Sequence, residues 1–210
     1  NLVGKHASCY ASNFALENRK SQLVIKEVNP WLLDYVLPKY QPKVIYLLRH
    51  PAAVANSMFS LGWVKGQIEG RLKQYDPTTT KEYTDPEQKF WYENGVLQAS
   101  LQNYVLKTLS HYPNKSTVRY EQVCSNPVSS FRELFTFCGF DWDSRQEWRV
   151  NKMSTGKDLV KTGNYDLTRD SANMVDSWKK GVNTEQLELL KDGFSTQAPE
   201  HYNDSDDWLL

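Results

Sequence analysis

The sequence predicts an α/β fold in which parallel strands lie between helices. Two short runs, QLVIKEV at 22–28 and KVIYLL at 43–48, lack the alternation of a half-exposed strand and are typical of strands covered on both faces. Apolar residues at helical spacing predict a helix over 31–40, and Pro30 marks the end of the first strand. Strand, helix and strand in this order form a βαβ unit with parallel strands.

The composition indicates one domain over residues 1–210 and argues against several classes of partner. Lys plus Arg number 25 and Asp plus Glu number 25, so the formal net charge is zero. Binding to nucleic acid or to an anionic membrane depends on clustered positive charge, and neither is expected. The three cysteines lack metal-ligand spacing, so no metal is expected. No apolar run could span a membrane and no signal segment is visible, which favours the cytoplasm over the Golgi lumen.

The stretch KVIYLLRHPAAVANSMFS, residues 43–60, carries the main candidate site. Arg49 ends the strand, and Pro51 suits the first turn of a helix because its fixed φ is helical and its missing N–H is not needed there. Ser57 follows Arg49 by eight residues, about two helical turns. Open α/β sheets bind ligands at the carboxyl ends of their strands, so Arg49 and Ser57 predict an anion site. An arginine and a serine also occur at such positions without any ligand, and this alternative stays open.

Cationic and aromatic residues follow two other predicted strands. Lys26 lies at the end of the first strand, where it is either a solvated boundary residue or a cation aimed at a phosphate or sulfuryl oxygen. A third strand is expected over 116–123, and Tyr120 at its exit either stacks on an adenine or packs in the core. Helices are expected over 85–111 and over 127–138, the second ending at Gly139.

Three polar segments are predicted outside this framework. Residues 62–86 contain three glycines and two Asp-Pro steps, which predict a long loop that is either a lid or a tolerated insertion. Residues 141–176 predict a loop whose basic residues, Lys161 among them, either fold over an anionic ligand or are solvated. The loop ends at the motif SWKKG, which contains Trp178 and Lys179. A last helix follows, capped by Asn183 or Thr184. Residues 195–210 form an acidic tail that is expected to pack only in part.

Three segments, taken in order, resemble the sulfotransferase family. KVIYLLRHP with Ser57 resembles the family's 3′-phosphate motif, VRYEQVCSNPVSSFRELFTFCGFDWD its strand, Tyr-Glu and helix segment, and DSWKKGVNTEQLELL its carboxyl-terminal closure. The resemblance spans most of residues 21–194. It implies a three-layer domain, a parallel sheet flanked by helices and related to the P-loop nucleotide kinases. The implied donor is 3′-phosphoadenylyl sulfate (PAPS), with PAP as the product and no metal.

The resemblance also implies roles for particular residues. Arg49 and Ser57 would bind the 3′-phosphate, Tyr120 would lie beside the adenine, and Lys26 would stabilise charge on the transferring sulfuryl group. The nucleotide pocket would be completed by Lys161, Trp178 and Lys179. The acceptor would be a hydroxyl or amine of a carbohydrate, tyrosine, lipid or small molecule, since no motif narrows the choice. The family's general base, a Glu or His, has no match among the residues.

The family's phosphosulfate-binding loop is expected several tens of residues before QLVIKEV, where this sequence has only about twenty. The chain is therefore expected to be an amino-terminally truncated or a degenerate member. Backbone amides at a helix N-terminus bind anions such as a phosphosulfate. We accordingly expect no sulfuryl transfer by the 210 residues alone and transfer by a longer chain.

Two other functions stay open beside the enzyme. A catalytically inactive nucleotide-binding or scaffold protein could keep the same fold. A P-loop kinase has less support, because neither a Walker loop nor a pair of metal-binding carboxylates is present in the sequence.

Overall fold

The computed structural model describes residues 23–63, 67–75, 81–156 and 170–210. It divides into two compact units, Asn1–Leu32 and Leu33–Leu210. The helices and strands are α1 Leu32–Tyr40, β1 Val44–Leu48, α2 Pro51–Ser60, α3 Gln67–Tyr75, α4 Pro86–Leu109, β2 Lys115–Arg119, α5 Tyr120–Ser125, α6 Pro127–Cys138, α7 Ser144–Ser154, α8 Ser171–Met174 and α9 Thr184–Ser195. Short 3₁₀ turns cover Ser177–Lys180 and Ser205–Trp208. None of the helices in these ranges is long and apolar enough to cross a membrane.

β1 and β2 pair in parallel, which confirms the predicted α/β class with helices between parallel strands. The register runs from Val44 opposite Lys115 to Leu48 opposite Arg119. β1 is not covered on both faces as predicted. Ile45 and Leu47 are 38% and 50% exposed, whereas Leu48 is buried. Alternate residues of β1 therefore face the core and the solvent.

The main core lies where α4 crosses α9. Leu97 of α4 and Leu190 and Phe194 of α9 are almost fully buried there. Gly95 and Gly193 allow the two helix backbones to approach closely, since a Cβ on Gly95 would overlap the Leu190 carbonyl oxygen. The crossing thus depends on glycine at both positions.

Three helix ends confirm predictions from capping residues. The Asp85 carboxylate accepts a hydrogen bond of 3.0 Å from the Glu87 N–H before α4. Gly139 ends α6 in the left-handed region, at φ 77°, which a glycine adopts without strain. Asn183 and Gln186 form a capping box at the start of α9.

The predicted first strand is wrong in its described part. Residues 23–28 form no strand, and Val28 is 85% exposed. The Glu27 carboxylate accepts hydrogen bonds of 2.8 Å from the N–H groups of Val28 and Asn29. These donors are therefore satisfied locally and not by a neighbouring strand, so the proposed βαβ unit is absent from the described residues.

Three other segments contain helices where a strand or loops were expected. β2 ends at Arg119, and Tyr120 begins α5 instead of ending a strand. α3 lies inside 62–86 and buries Ile68 and Leu72, one helical turn apart. α7 lies inside 141–176, where the Asp143 carboxylate caps it by accepting from the Arg145 and Gln146 N–H groups. VRYEQV has strand propensity and the other two segments are polar, so the sequence did not predict these helices.

Candidate functional site

Arg49 and Tyr120 meet at the carboxyl ends of the two strands. Leu48 lies opposite Arg119, so Arg49 and Tyr120 are the first residues beyond the paired strands. The guanidinium carbon of Arg49 lies 4.6 Å from the centroid of the Tyr120 ring, within cation–π range. The Arg49 Nε atom is buried and has no hydrogen-bond partner among the described residues. Because buried donors are normally satisfied, this N–H makes Arg49 a candidate contact for an anionic ligand.

The residues that follow Arg49 and Tyr120 form a second contact. The His50 backbone N–H donates to Oε1 of Glu121 at 2.9 Å, and Oε2 of the same carboxylate accepts from the Tyr202 hydroxyl at 2.7 Å. Glu121 therefore joins the end of β1 to the start of α5 and to the last residues of the chain.

The His50 ring connects α2 to the Trp178 segment. Its Nδ1 accepts from the Ala52 N–H at 3.1 Å and so caps α2. The proton must then lie on Nε2, which donates to the Asp207 carbonyl oxygen at 2.8 Å. The ring stacks on Trp178 with a centroid distance of 4.6 Å and an interplanar angle of 6°. Trp178, a site residue predicted from the resemblance, thus packs against His50, the residue that follows Arg49.

Residues 202–208, here called the carboxyl-terminal clasp, cover this turn. Arg119 pairs with the Asp207 carboxylate at 2.8 Å, and its guanidinium carbon lies 4.2 Å from the Tyr202 ring centroid. The Trp208 indole N–H donates to the Tyr202 carbonyl oxygen at 2.8 Å. Tyr202 and Trp208 are both buried. Residues 203–206, Leu209 and Leu210 are exposed, so the end of the chain is held through Tyr202, Asp207 and Trp208.

Ser57 is exposed on α2. It lies six residues after Pro51, which corresponds to about 9 Å along the helix axis. Its neighbour Asn56 faces the closure segment, since a Cβ on Gly181 would lie 2.8 Å from the Asn56 Nδ2 atom. The helix that carries Ser57 therefore also contacts the end of the SWKKG motif.

Comparison with known proteins identifies the family. The sequence model of the family described as "Sulfotransferase domain" matches residues 6–205 of this chain. The chain belongs to the sulfotransferase domain family. Its fold is similar to the solved structure of a sulfotransferase domain from the curacin biosynthetic pathway, with a TM-score of 0.52, 16% identity, and coverage of 91% of this chain and 68% of that chain. A comparison with curated proteins gives no match.

The remaining predicted site residues of this sulfotransferase domain are Lys179, Lys161 and Lys26. Lys179 follows Trp178, and its Nζ lies 3.5 Å from the Asp176 carboxylate. Lys161 lies outside the described residues. Lys26 is exposed in the first unit, and the strand predicted to present it is absent from the described residues. Its assignment therefore depends on the family resemblance alone.

Burial shifts the pKa values of two residues at this candidate site. It lowers the pKa of His50 to about 4, although the Asp207 carbonyl and the Glu121 and Asp207 carboxylates oppose the change. Burial, followed by the hydrogen bond to Glu121, raises the pKa of the Tyr202 hydroxyl. At neutral pH His50 is therefore an uncharged ring against Trp178, and Tyr202 is a hydrogen-bond donor.

We expect the stability of the domain to fall between pH 6.5 and pH 4 because of His50. The folded-state pKa is about 4 and the ordinary value is 6.5, so on acidification the unfolded chain takes up this proton first. The contribution is complete above pH 6.5 and lost towards pH 4, and amounts to about 3 kcal/mol. Urea unfolding at several pH values would measure it.

His50→Gln is the control for this titration, because glutamine can accept from the Ala52 N–H but does not titrate. Its free energy of unfolding should fall less steeply over the same interval. Equal slopes for the two proteins would show that His50 does not cause the acid sensitivity.

Sequence reasoning missed Glu121, His50, Arg119, Tyr202 and Asp207 as members of this site. A signal for two of them is present in the sequence. When LLRH and VRYE are aligned as parallel neighbours, His50 comes opposite Glu121, just as Arg49 comes opposite Tyr120. The clasp has no comparable signal.

Proposed function

We propose that the whole protein to which this sulfotransferase domain belongs binds PAPS and transfers its sulfuryl group to a hydroxyl or amine of an acceptor. The observation that carries the proposal is Arg49, whose buried Nε has no hydrogen-bond partner among the described residues and whose guanidinium lies over Tyr120 at the strand ends. Ligands of parallel α/β sheets bind at this edge. Family membership supports sulfuryl transfer as the chemistry.

The residues at the strand ends fit the 3′-phosphate and adenine of such a donor. The planar guanidinium of Arg49 presents several donors that match phosphate oxygens, and the exposed Ser57 hydroxyl can add another. Arg49 covers one face of the Tyr120 ring, so an adenine would contact its edge or its other face. Trp178 and Lys179 would close the nucleotide pocket, with Lys161 as a further contact proposed from the resemblance.

The proposed reaction is an in-line transfer. A new bond forms between sulfur and the acceptor oxygen or nitrogen, the bond from sulfur to the bridging phosphate oxygen breaks, and that oxygen keeps the electron pair in PAP. The proton of the acceptor passes to a general base. Lys26 is proposed to stabilise charge on the sulfuryl oxygens. By analogy with phosphoryl transfer, the protein contributes mainly positioning and electrostatic stabilisation.

Calorimetric titration with PAP, followed by a transfer assay with labelled PAPS and a panel of hydroxyl and amine acceptors, tests the proposal. Saturable binding together with transfer of label is the expected result for the whole protein. Binding without transfer to any acceptor would favour the inactive nucleotide-binding or scaffold protein. Absence of PAP binding would overturn the proposed donor site.

Ser57→Ala is expected to weaken PAP binding about tenfold. The substitution removes one hydrogen bond to a charged group, and such bonds contribute about 1.5 kcal/mol or more. Calorimetric titration gives the dissociation constant. Ser60→Ala is the matched control, because Ser60 is also exposed on α2 but its hydroxyl donates to the Asn56 carbonyl oxygen. Equal affinities for the two variants would remove Ser57 from the site.

A further inference from the structure

We infer that Glu121 is a positioning residue that fixes Arg49 for anion binding. The inference rests on the proposed function, in which Arg49 binds the 3′-phosphate. Glu121 is half-buried, and the hydrogen bonds of its carboxylate go to the His50 N–H and the Tyr202 hydroxyl and not to the Arg49 guanidinium. It acts on Arg49 through the backbone.

The geometry follows from the planarity of one peptide. Oε1 of Glu121 accepts from the His50 N–H at 2.9 Å. That N–H belongs to the peptide between Arg49 and His50, and the peptide is planar, so the hydrogen bond fixes the plane that leaves the Cα of Arg49. The orientation of this plane helps to set the direction of the Arg49 side chain over Tyr120.

The same carboxylate is held in place from its other side. Oε2 accepts from the Tyr202 hydroxyl at 2.7 Å, and Tyr202 is only 3% exposed. The Arg119 guanidinium lies over the Tyr202 ring and pairs with Asp207, which keeps the clasp against the strand ends. Glu121 also follows Tyr120 directly in the chain. One carboxylate therefore bonds both to the peptide that follows Arg49 and to the clasp.

Glu121→Leu and Glu121→Gln separate positioning from general stability. Glutamine can accept from the His50 N–H with its carbonyl oxygen and donate to the Tyr202 oxygen with its amide, so it keeps both contacts. Leucine keeps neither. Tyr202→Phe is a third variant, which removes only the hydroxyl that donates to Oε2 of Glu121. It replaces Glu121→Leu in the tests if that variant does not fold.

Amide hydrogen exchange tests the positioning without any ligand. Glu121→Leu should speed exchange of the His50 amide at least tenfold while the Leu190 amide, in the buried crossing of α4 and α9, stays unchanged. Glu121→Gln should differ from the wild type by less than about threefold, and Tyr202→Phe should lie between the two. Unchanged exchange at His50, or equal acceleration at His50 and Leu190, would overturn the inference.

PAP titration links the positioning to binding. Glu121→Leu should raise the dissociation constant about tenfold and Glu121→Gln should restore it to near the wild-type value. If the wild type binds PAP and Glu121→Leu binds equally well, the inference fails while the proposed function stands. If the wild type does not bind PAP, the proposed function fails, and the exchange of the His50 amide still decides whether Glu121 fixes the Arg49–His50 peptide.

Discussion

Replacing Arg49 with alanine is expected to lower the affinity for PAP about 100-fold. The variant loses a charge-assisted, two-pronged contact with the 3′-phosphate, and hydrogen bonds to charged groups contribute about 1.5–3 kcal/mol each. Arg49→Lys should recover only part of the affinity, because an ammonium group keeps the charge but not the planar pair of donors. Calorimetric titration with PAP measures both variants.

Arg71→Ala is the matched control for this substitution. Arg71 lies on α3, and its guanidinium carbon lies 4.6 Å from the Trp63 ring centroid, the same distance that separates Arg49 from Tyr120. Both substitutions therefore remove an arginine stacked on an aromatic ring, but only Arg49 lies at the strand ends. Equal affinities for PAP in the two variants would contradict the central assignment. A loss confined to Arg49→Ala would support it.

The parallel strand pair explains how much of the site could be predicted. Local sequence signals are sufficient to predict the end of β1 and the start of α2, because Arg49 and Pro51 mark these two positions within three residues. The partner of Arg49 depends on register, which a single apolar run does not specify. Tyr120 was therefore predicted from family resemblance as an adenine contact, and the stacking of Arg49 on its ring required the structure.

The errors arose where tertiary contacts or local hydrogen bonds outweigh propensity. Residues 23–28 have the composition of a strand, yet Glu27 satisfies the N–H groups that follow it. Tyr120 and Glu121 continue a run of strand-forming residues, yet the Glu121 carboxylate is bound by His50 and Tyr202 and the chain turns into α5. The role of Tyr202 arises from a contact 81 residues away in sequence, which no periodic pattern reveals.

Gly193→Ala is expected to destabilise the domain by about 3 kcal/mol. A Cβ at this position of α9 would overlap the Tyr92 carbonyl oxygen and lie 3.2 Å from the Val96 nitrogen, both in the backbone of α4. Backbone atoms cannot rotate away as a side chain does, so the two helices must separate, and overpacking of this kind typically costs about 1–3 kcal/mol or more. Urea unfolding would measure the loss.

Gly70→Ala is the opposite case and the control. Gly70 is also helical, but a Cβ there has no atom within 4 Å, so alanine should stabilise α3 by about 0.5–1 kcal/mol. Equal effects of the two substitutions would contradict the close approach of α4 and α9. The crossing also supports the candidate site, because the ring of Phe194 lies 5.4 Å from that of Trp208 in the clasp. Folded Gly193→Ala should therefore bind PAP more weakly than folded Gly70→Ala, since a displaced α9 moves the residues that hold His50 and Glu121.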